Sequence, residues 1–166
     1  MALFTTLYSG SSGNCGLVLQ DGRYLLIDMG KSCRTTLRAL KSLGLAVSDC
    51  EGILITHEHA DHVSGLDTFL KHYSVPVFAG ADTLDALDSR GVIPPAVDAV
   101  AIDGRTEEIG GFMVHAFPTS HDVPCCGYRI RTRDGHTMAL ATDLGIVTPV
   151  VAQNLAGWDL VAVEAN

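Results

Sequence analysis

The chain has 166 residues, enough for one domain with a core that supports itself. Apolar residues make up 47% and charged residues 18%, which excludes a disordered chain and a coiled coil. Eleven Lys and Arg against nineteen Asp and Glu give a net charge of −8, which excludes a broad basic face that coats nucleic acid but not an encounter with phosphate at one cation-loaded point.

In chain order, residues 3–7 predict a strand, followed by a small-residue loop over 9–14. Two strands, 15–20 and 23–28, flank Asp21-Gly22, a strong signal for a two-residue hairpin. A helix is predicted from an N-cap at Ser32 to Gly44, with Leu37, Leu40 and Leu43 on one side. A short apolar strand over 51–55 runs into a cluster of histidines, and a helix follows over 64–73. A strand at 77–79, a helix at 83–89 and a crossing at Pro94-Pro95 come next. The rest reads mainly as strands at 99–102, 112–117, 127–131 and 137–141, with Asp134-Gly135 making the last two a hairpin. A short helix at 148–154 and a buried strand at 160–164 complete the pattern, which predicts layered sheets with helices outside.

No apolar run reaches the eighteen residues a membrane span needs, and residues 1–12 lack the basic start of an export signal. The five cysteines (Cys15, Cys33, Cys50, Cys125, Cys126) form neither a disulfide framework nor a C-x-x-C knuckle. The expected home is the reducing cytoplasm, with no membrane partner.

His57-Glu58-His59-Ala60-Asp61-His62 is the most informative stretch. In extended chain, residues two apart point the same way, so His57 and His59 can grip one ion. Asp61 and His62 fall on the next turn of chain and can face a second ion. Imidazole with carboxylate suits zinc, manganese or iron. Asp28, His121 and Asp143 each follow the end of a predicted strand, where layered folds build sites.

Asp28, the 57–62 motif, His121 and Asp143, in that order, resemble the metallo-β-lactamase superfamily across nearly the whole chain. The resemblance implies an α/β fold, an αββα sandwich with a dinuclear centre at one sheet edge, formed by 1–166 as a single domain. It implies His57, His59 and His121 on the first ion, Asp61 and His62 on the second, and Asp143 bridging. Asp28 would orient the histidine loop by hydrogen bonds. Asp61 would also act in catalysis, by orienting a hydroxide shared by two divalent ions, with zinc the expected metal and manganese the alternative. The loop 9–14, Pro118-Thr119-Ser120-His121-Asp122 and Val163-Glu164-Ala165-Asn166 are similar to the YycJ/WalJ-type bacterial branch, regarded as exonucleases or phosphodiesterases. Ser11, Ser12 and Asn14 would then belong to a substrate loop.

The function implied is hydrolysis of a phosphodiester in nucleic acid, with a small ester, thioester or lactone on the same fold as the alternative. The family's pattern has a last ligand histidine well after the bridging aspartate, and no histidine follows Asp143. Glu164 and Asn166 are the first replacements to consider. The expectation is a sandwich incomplete at its C-terminal end, a weakened second site, a catalytically weak fragment as a further alternative, and self-association through the sheet edge at 160–164. His72, His115, His136, the Cys125-Cys126 pair, and Arg129, Arg131 and Arg133 read as structural or solvated residues.

Overall fold

A computed structural model describes residues 1–165, so Asn166 lies outside the described residues. The first sheet begins with β1 (Ala2–Tyr8), β2 (Cys15–Gln20) and β3 (Arg23–Ile27), an antiparallel meander. The turn between β2 and β3 places Asp21 at φ 53° and Gly22 at φ 76°, the double positive φ that a two-residue hairpin of this hand requires. Three parallel strands extend the sheet: β4 (Cys50–Leu54), β5 (Val77–Ala79) and β6 (Ala99–Ala101). Helix α1 (Cys33–Ser42) crosses from β3 to β4, capped by Ser32 Oγ, which accepts from the Thr35 amide at 3.1 Å. Two short helices, α2 (Ala60–Val63) and α3 (Leu66–His72), cross to β5, and α4 (Ala81–Ser89) follows it.

The second sheet has the order β11-β10-β9-β8-β7. It contains β7 (Thr106–Ile109), β8 (Phe112–Thr119), β9 (Cys125–Arg131), β10 (Thr137–Leu144) and β11 (Leu160–Ala165), with α5 (Pro149–Leu155) between the last two. Neighbouring strands are antiparallel except β10 and β11, which run parallel.

Alternation along the strands makes the layers. Leu25, Ile27 and Leu54 of the first sheet meet Val114, Tyr128, Ile130 and Leu140 of the second in the inter-sheet core. The opposite faces of β3 and β4 place Leu26 and Ile53 against Leu40, Leu66, Phe69 and Leu87 of the helices. On the far side, Val151 of α5 packs on Phe117, Ala141 and Leu144. The result is the expected αββα sandwich, with α5 as the outer helix on the second sheet among the described residues. No helix among them is long and apolar enough to cross a membrane.

Four expectations need correction. The helix predicted over 64–73 begins at Leu66, and a separate short helix, α2, precedes it, because the Gly65 amide bonds the Met29 carbonyl at 3.0 Å and interrupts the run. Leu43 is not on the buried side of α1 but sits at its C-cap, 46% exposed. Strand β7 was absent from the pattern because Thr-Glu-Glu-Ile lies on a sheet edge with little apolar signal. The strand at 160–164 is present but not buried: it is the other edge, and Leu160, Val161 and Val163 are exposed.

Candidate metal centre

One edge of the sandwich gathers the ends of β3, β4, β8 and β10, and Asp28, His57, His59, Asp61, His62, His121 and Asp143 lie there. Asp28 ends β3 at φ 63°. Asp143 falls inside β10, at the register shift between Ala141 and Leu144, with φ 52°. Both aspartates therefore occupy left-handed backbone, which Asp tolerates better than most residues and which turns their carboxylates into the cleft.

Three imidazoles converge. The His57, His59 and His121 ligand atoms lie within 4.8 Å of one another, with His59 Nδ1 and His121 Nε2 3.2 Å apart. A second group shares His57 and adds His62 and Asp143. Asp143 Oδ2 is 2.7 Å from His62 Nε2 and 3.8 Å from His57 Nε2, placing one carboxylate oxygen between the two groups. Asp61 is at the rim, its Oδ2 3.5 Å from His62 Nε2. Asp122, on the loop with His121, places Oδ1 3.3 Å from His59 Nε2 and 3.2 Å from His121 Nε2.

The residues fit a metal on two grounds. His57 Nε2 is fully buried, faces this cluster and has no hydrogen-bond partner among the described residues, an arrangement that is costly for a polar nitrogen without a ligand. Tetrahedral zinc with nitrogen distances of about 2.0–2.1 Å sets ligand atoms about 3.3–3.4 Å apart, close to the His59–His121 separation.

Asp28 sits beneath both groups. Its Oδ1 accepts from the Thr56 amide at 2.7 Å, and its Oδ2 lies 2.8 Å from Thr56 Oγ1 and 2.7 Å from His62 Nδ1. Burial alone would lower His62, but the hydrogen bond to Asp28 and the charges of Asp28, Asp143 and Asp61 outweigh it and raise the ring to about 9. Burial pushes His57 down to about 4, with the neighbouring His62 charge acting the same way.

Backbone bonds stitch the loops together. The Asp28 amide donates to Leu54 O, Met29 to His62 O, Asn14 to Asp61 O, and Gly30 to Asn14 O, all within 2.9 Å. Cys126 of β9 donates to Thr56 O at 3.0 Å, and Tyr128 Oη donates to Ile55 O at 2.5 Å, tying the second sheet to the end of β4. A Cβ at Gly30 would collide with the Asp61 carbonyl. Gly30→Ala should therefore displace the 61–62 backbone and cost about 1–3 kcal/mol, the usual range for overpacking. A lower urea midpoint at unchanged slope would show it.

Ser11 and Asn14 line an open cavity of about 470 Å³ with Asp61, Asp143 and Glu164, whereas Ser12 is exposed outside that lining. Asn14 is also a clip: its side chain bonds Gly10 at both ends, with Nδ2 3.4 Å from Asp61 Oδ2. Ser64 and Gly65 offer no free amides to an anion at the start of α3. Their amides are spent on Ala60 O and Met29 O, and α3 has only seven residues. Cys125 was read as structural, yet its Sγ is 3.7 Å from His57 Nδ1, and burial pushes the thiol up to about 11. It also lines a second cavity of about 500 Å³ with Phe117, Thr119 and Pro124.

Sequence reasoning missed Thr56 and Arg90. Thr56 could have been noticed as the hydroxyl next to His57 at a strand end. Arg90 carries no such signal: its guanidinium reaches back from the end of α4 to Glu58 O at 3.0 Å and to the Glu58 carboxylate.

A family model described as a beta-lactamase superfamily domain matches residues 23–166. The chain belongs to the metallo-β-lactamase superfamily. Within it, the chain is 33% identical over 164 residues to the exodeoxyribonuclease YycJ of Bacillus anthracis, covering 98% of this chain and 62% of that protein. It is 28% identical over 166 residues to the exodeoxyribonuclease WalJ of Streptococcus pneumoniae serotype 2 (strain D39), with the same coverage. The chain thus spans about three fifths of these relatives' length. A metallo-β-lactamase structure from Cronobacter sakazakii superposes with a TM-score of 0.75 at 19% identity, covering 95% of this chain and 69% of that one. The metallo-β-lactamase fold implies divalent metal, and the His/Asp cluster supplies donors for it.

Proposed function

We propose that residues 1–166 form one domain of a metal-dependent hydrolase that cleaves phosphodiesters in nucleic acid from an end. The observation that carries this is the pair of donor groups sharing His57 under an open cavity. The similarity to YycJ and WalJ, named exodeoxyribonucleases, supports the choice of substrate. In this reading His57, His59 and His121 hold the first ion. His62 and Asp61 would hold the second, and Asp143, placed beside both groups, would serve the two. The imidazole-rich first group favours zinc, while the mixed second group accepts zinc or manganese.

Bound divalent ions would act as Lewis acids on the phosphoryl group and increase the acidity of the attacking water. The chain's own side chains do the remainder. Asp61, at the rim, is placed to orient the water and hold its proton. Among the described residues the cavity wall carries Asp61, Asp143 and Glu164 but no Lys or Arg, so by itself it repels phosphate. Substrate affinity therefore follows cation loading. Glu164 lines the same cavity and is the described residue placed to complete the second group, while Asn166 lies outside the described residues.

Two further expectations remain part of this proposal. Ile146, Val147, Val150, Leu160, Val161 and Val163 are exposed on or near edge strand β11, which supports self-association there. Five free thiols support a reducing cytoplasm.

The test is the zinc- or manganese-loaded chain against end-labelled DNA and RNA, a nitrophenyl phosphodiester, a thioester and a lactone. Release of nucleotides from an end, lost in His57→Ala with His59→Ala at unchanged secondary structure, is expected. Turnover of the thioester or lactone with none of the phosphodiesters would overturn the reading in favour of the small-ester alternative.

A further inference from the structure

Thr56 is fully buried between two groups that both need its hydroxyl. Oγ1 lies 2.8 Å from Asp28 Oδ2 and 2.9 Å from His57 Nδ1. The hydroxyl has a single proton to give. A carboxylate only accepts, so the hydrogen bond to Asp28 uses that proton. The lone pairs of Oγ1 then face His57, and Nδ1 must bring the hydrogen. That leaves the lone pair of His57 on Nε2, the buried nitrogen that faces the cluster and has no hydrogen-bond partner among the described residues. The opposite arrangement, with the hydroxyl donating to His57, would leave Oγ1 and Asp28 Oδ2 in contact with no hydrogen between them. It would also point an N–H at the other imidazoles.

The same Asp28 oxygen sits 2.7 Å from His62 Nδ1, which by the same rule donates, and Nε2 faces Asp143 in the second group. We propose that Thr56 is a positioning residue that extends the Asp28 carboxylate to His57, so that one buried carboxylate holds the Nδ1 hydrogens of two histidines whose Nε2 atoms face the two metal groups. Asp28 acts on His62 directly and on His57 through the threonine hydroxyl. This rests on the metal-centre reading above, but the His57 tautomer it names belongs to the protein without metal, in which both His62 nitrogens face carboxylates and both carry hydrogen.

Two measurements test it. Long-range ¹H–¹⁵N correlation of the imidazoles in chelator-treated protein should show His57 as a single tautomer with hydrogen on Nδ1. In Thr56→Val it should become a mixture, and in Thr56→Ser it should return to the wild-type form. Zinc titration against a competing chelator should show affinity reduced about 10–100-fold in Thr56→Val, the usual cost of losing an outer hydrogen-bond partner, and restored in Thr56→Ser. Cys125→Ala removes the other, weaker neighbour of Nδ1 and should leave the tautomer unchanged. Wild-type His57 carrying its hydrogen on Nε2 would overturn the proposal, whatever the variants do. So would Thr56→Val with an unchanged tautomer and affinity, or Thr56→Ser behaving like Thr56→Val. An intact relay in a protein that hydrolyses no phosphodiester would instead overturn only the proposed function.

Discussion

Asp143→Ala should lose metal and turnover together, with metal affinity reduced by more than the ~10–100-fold that removal of an outer partner costs. Its Oδ2 is 2.7 Å from His62 Nε2 and 3.8 Å from His57 Nε2, so a single deletion strips a carboxylate from the side of both donor groups. The loss also reaches the metal-free fold. His62 would keep Asp28 but lose its second carboxylate in a buried setting, and breaking such a pair costs about 3–5 kcal/mol. Asp143→Asn keeps the shape and an oxygen and should fall between. Metal content by mass spectrometry of the dialysed protein, read beside phosphodiester turnover, checks the result. Full metal with full turnover in Asp143→Ala would reduce Asp143 to a turn residue.

Asp28→Ala is expected to be the most destabilising change in the molecule. It removes the acceptor for the Thr56 amide, the Thr56 hydroxyl and His62 Nδ1, all in a buried site. Each donor left unsatisfied costs about 1–3 kcal/mol. Alanine also sits poorly at φ 63°. Against total stabilities of about 5–15 kcal/mol, much of the folded population should be lost.

The pH profile of the metal-free protein checks the electrostatic part. His62, raised to about 9, binds its proton more tightly folded than unfolded. Its contribution is full below about 6.5 and disappears as pH rises through about 9. His57, lowered to about 4, resists protonation when folded, so stability falls as pH drops from about 6.5 toward 4. Urea midpoints in the presence of chelator should peak near neutrality. Asp28→Asn should flatten the alkaline limb, because the carboxylate charge that raises His62 is gone. An unchanged alkaline limb would show that Asp28 does not hold the His62 proton.

The parts of the fold that could be read from sequence were those where local chemistry and tertiary context agree. Asp21-Gly22 announces its hairpin because few other pairs accept two positive φ values. The 57–62 histidines stood out by density and spacing, and Asp28, His121 and Asp143 by their position after apolar strands. What stayed hidden depends on contacts distant in sequence. Gly65 gives no hint that its amide serves Met29, so the break between α2 and α3 was invisible. The 160–164 strand looked buried because its composition is apolar, whereas exposure there is set by position at a sheet edge. Thr56 and Arg90 act through partners 28 and 32 residues away, and neither residue type signals that by itself.

The loops at the metal centre are joined mainly through peptide groups: Asp28 to Leu54, Met29 to His62, Gly30 to Asn14, Asn14 to Asp61 and Gly65 to Met29. Such bonds are indifferent to side-chain identity but sensitive to register. Met29 could exchange for another apolar residue with its amide still on His62, whereas one inserted residue between Asp28 and Gly30 would move every later donor off its acceptor. Chains descended from a common ancestor with this centre should therefore keep the length of 28–30 and 61–65 even where a position such as Met29 varies, and alignment gaps should collect instead in the turns remote from the centre, such as 132–136.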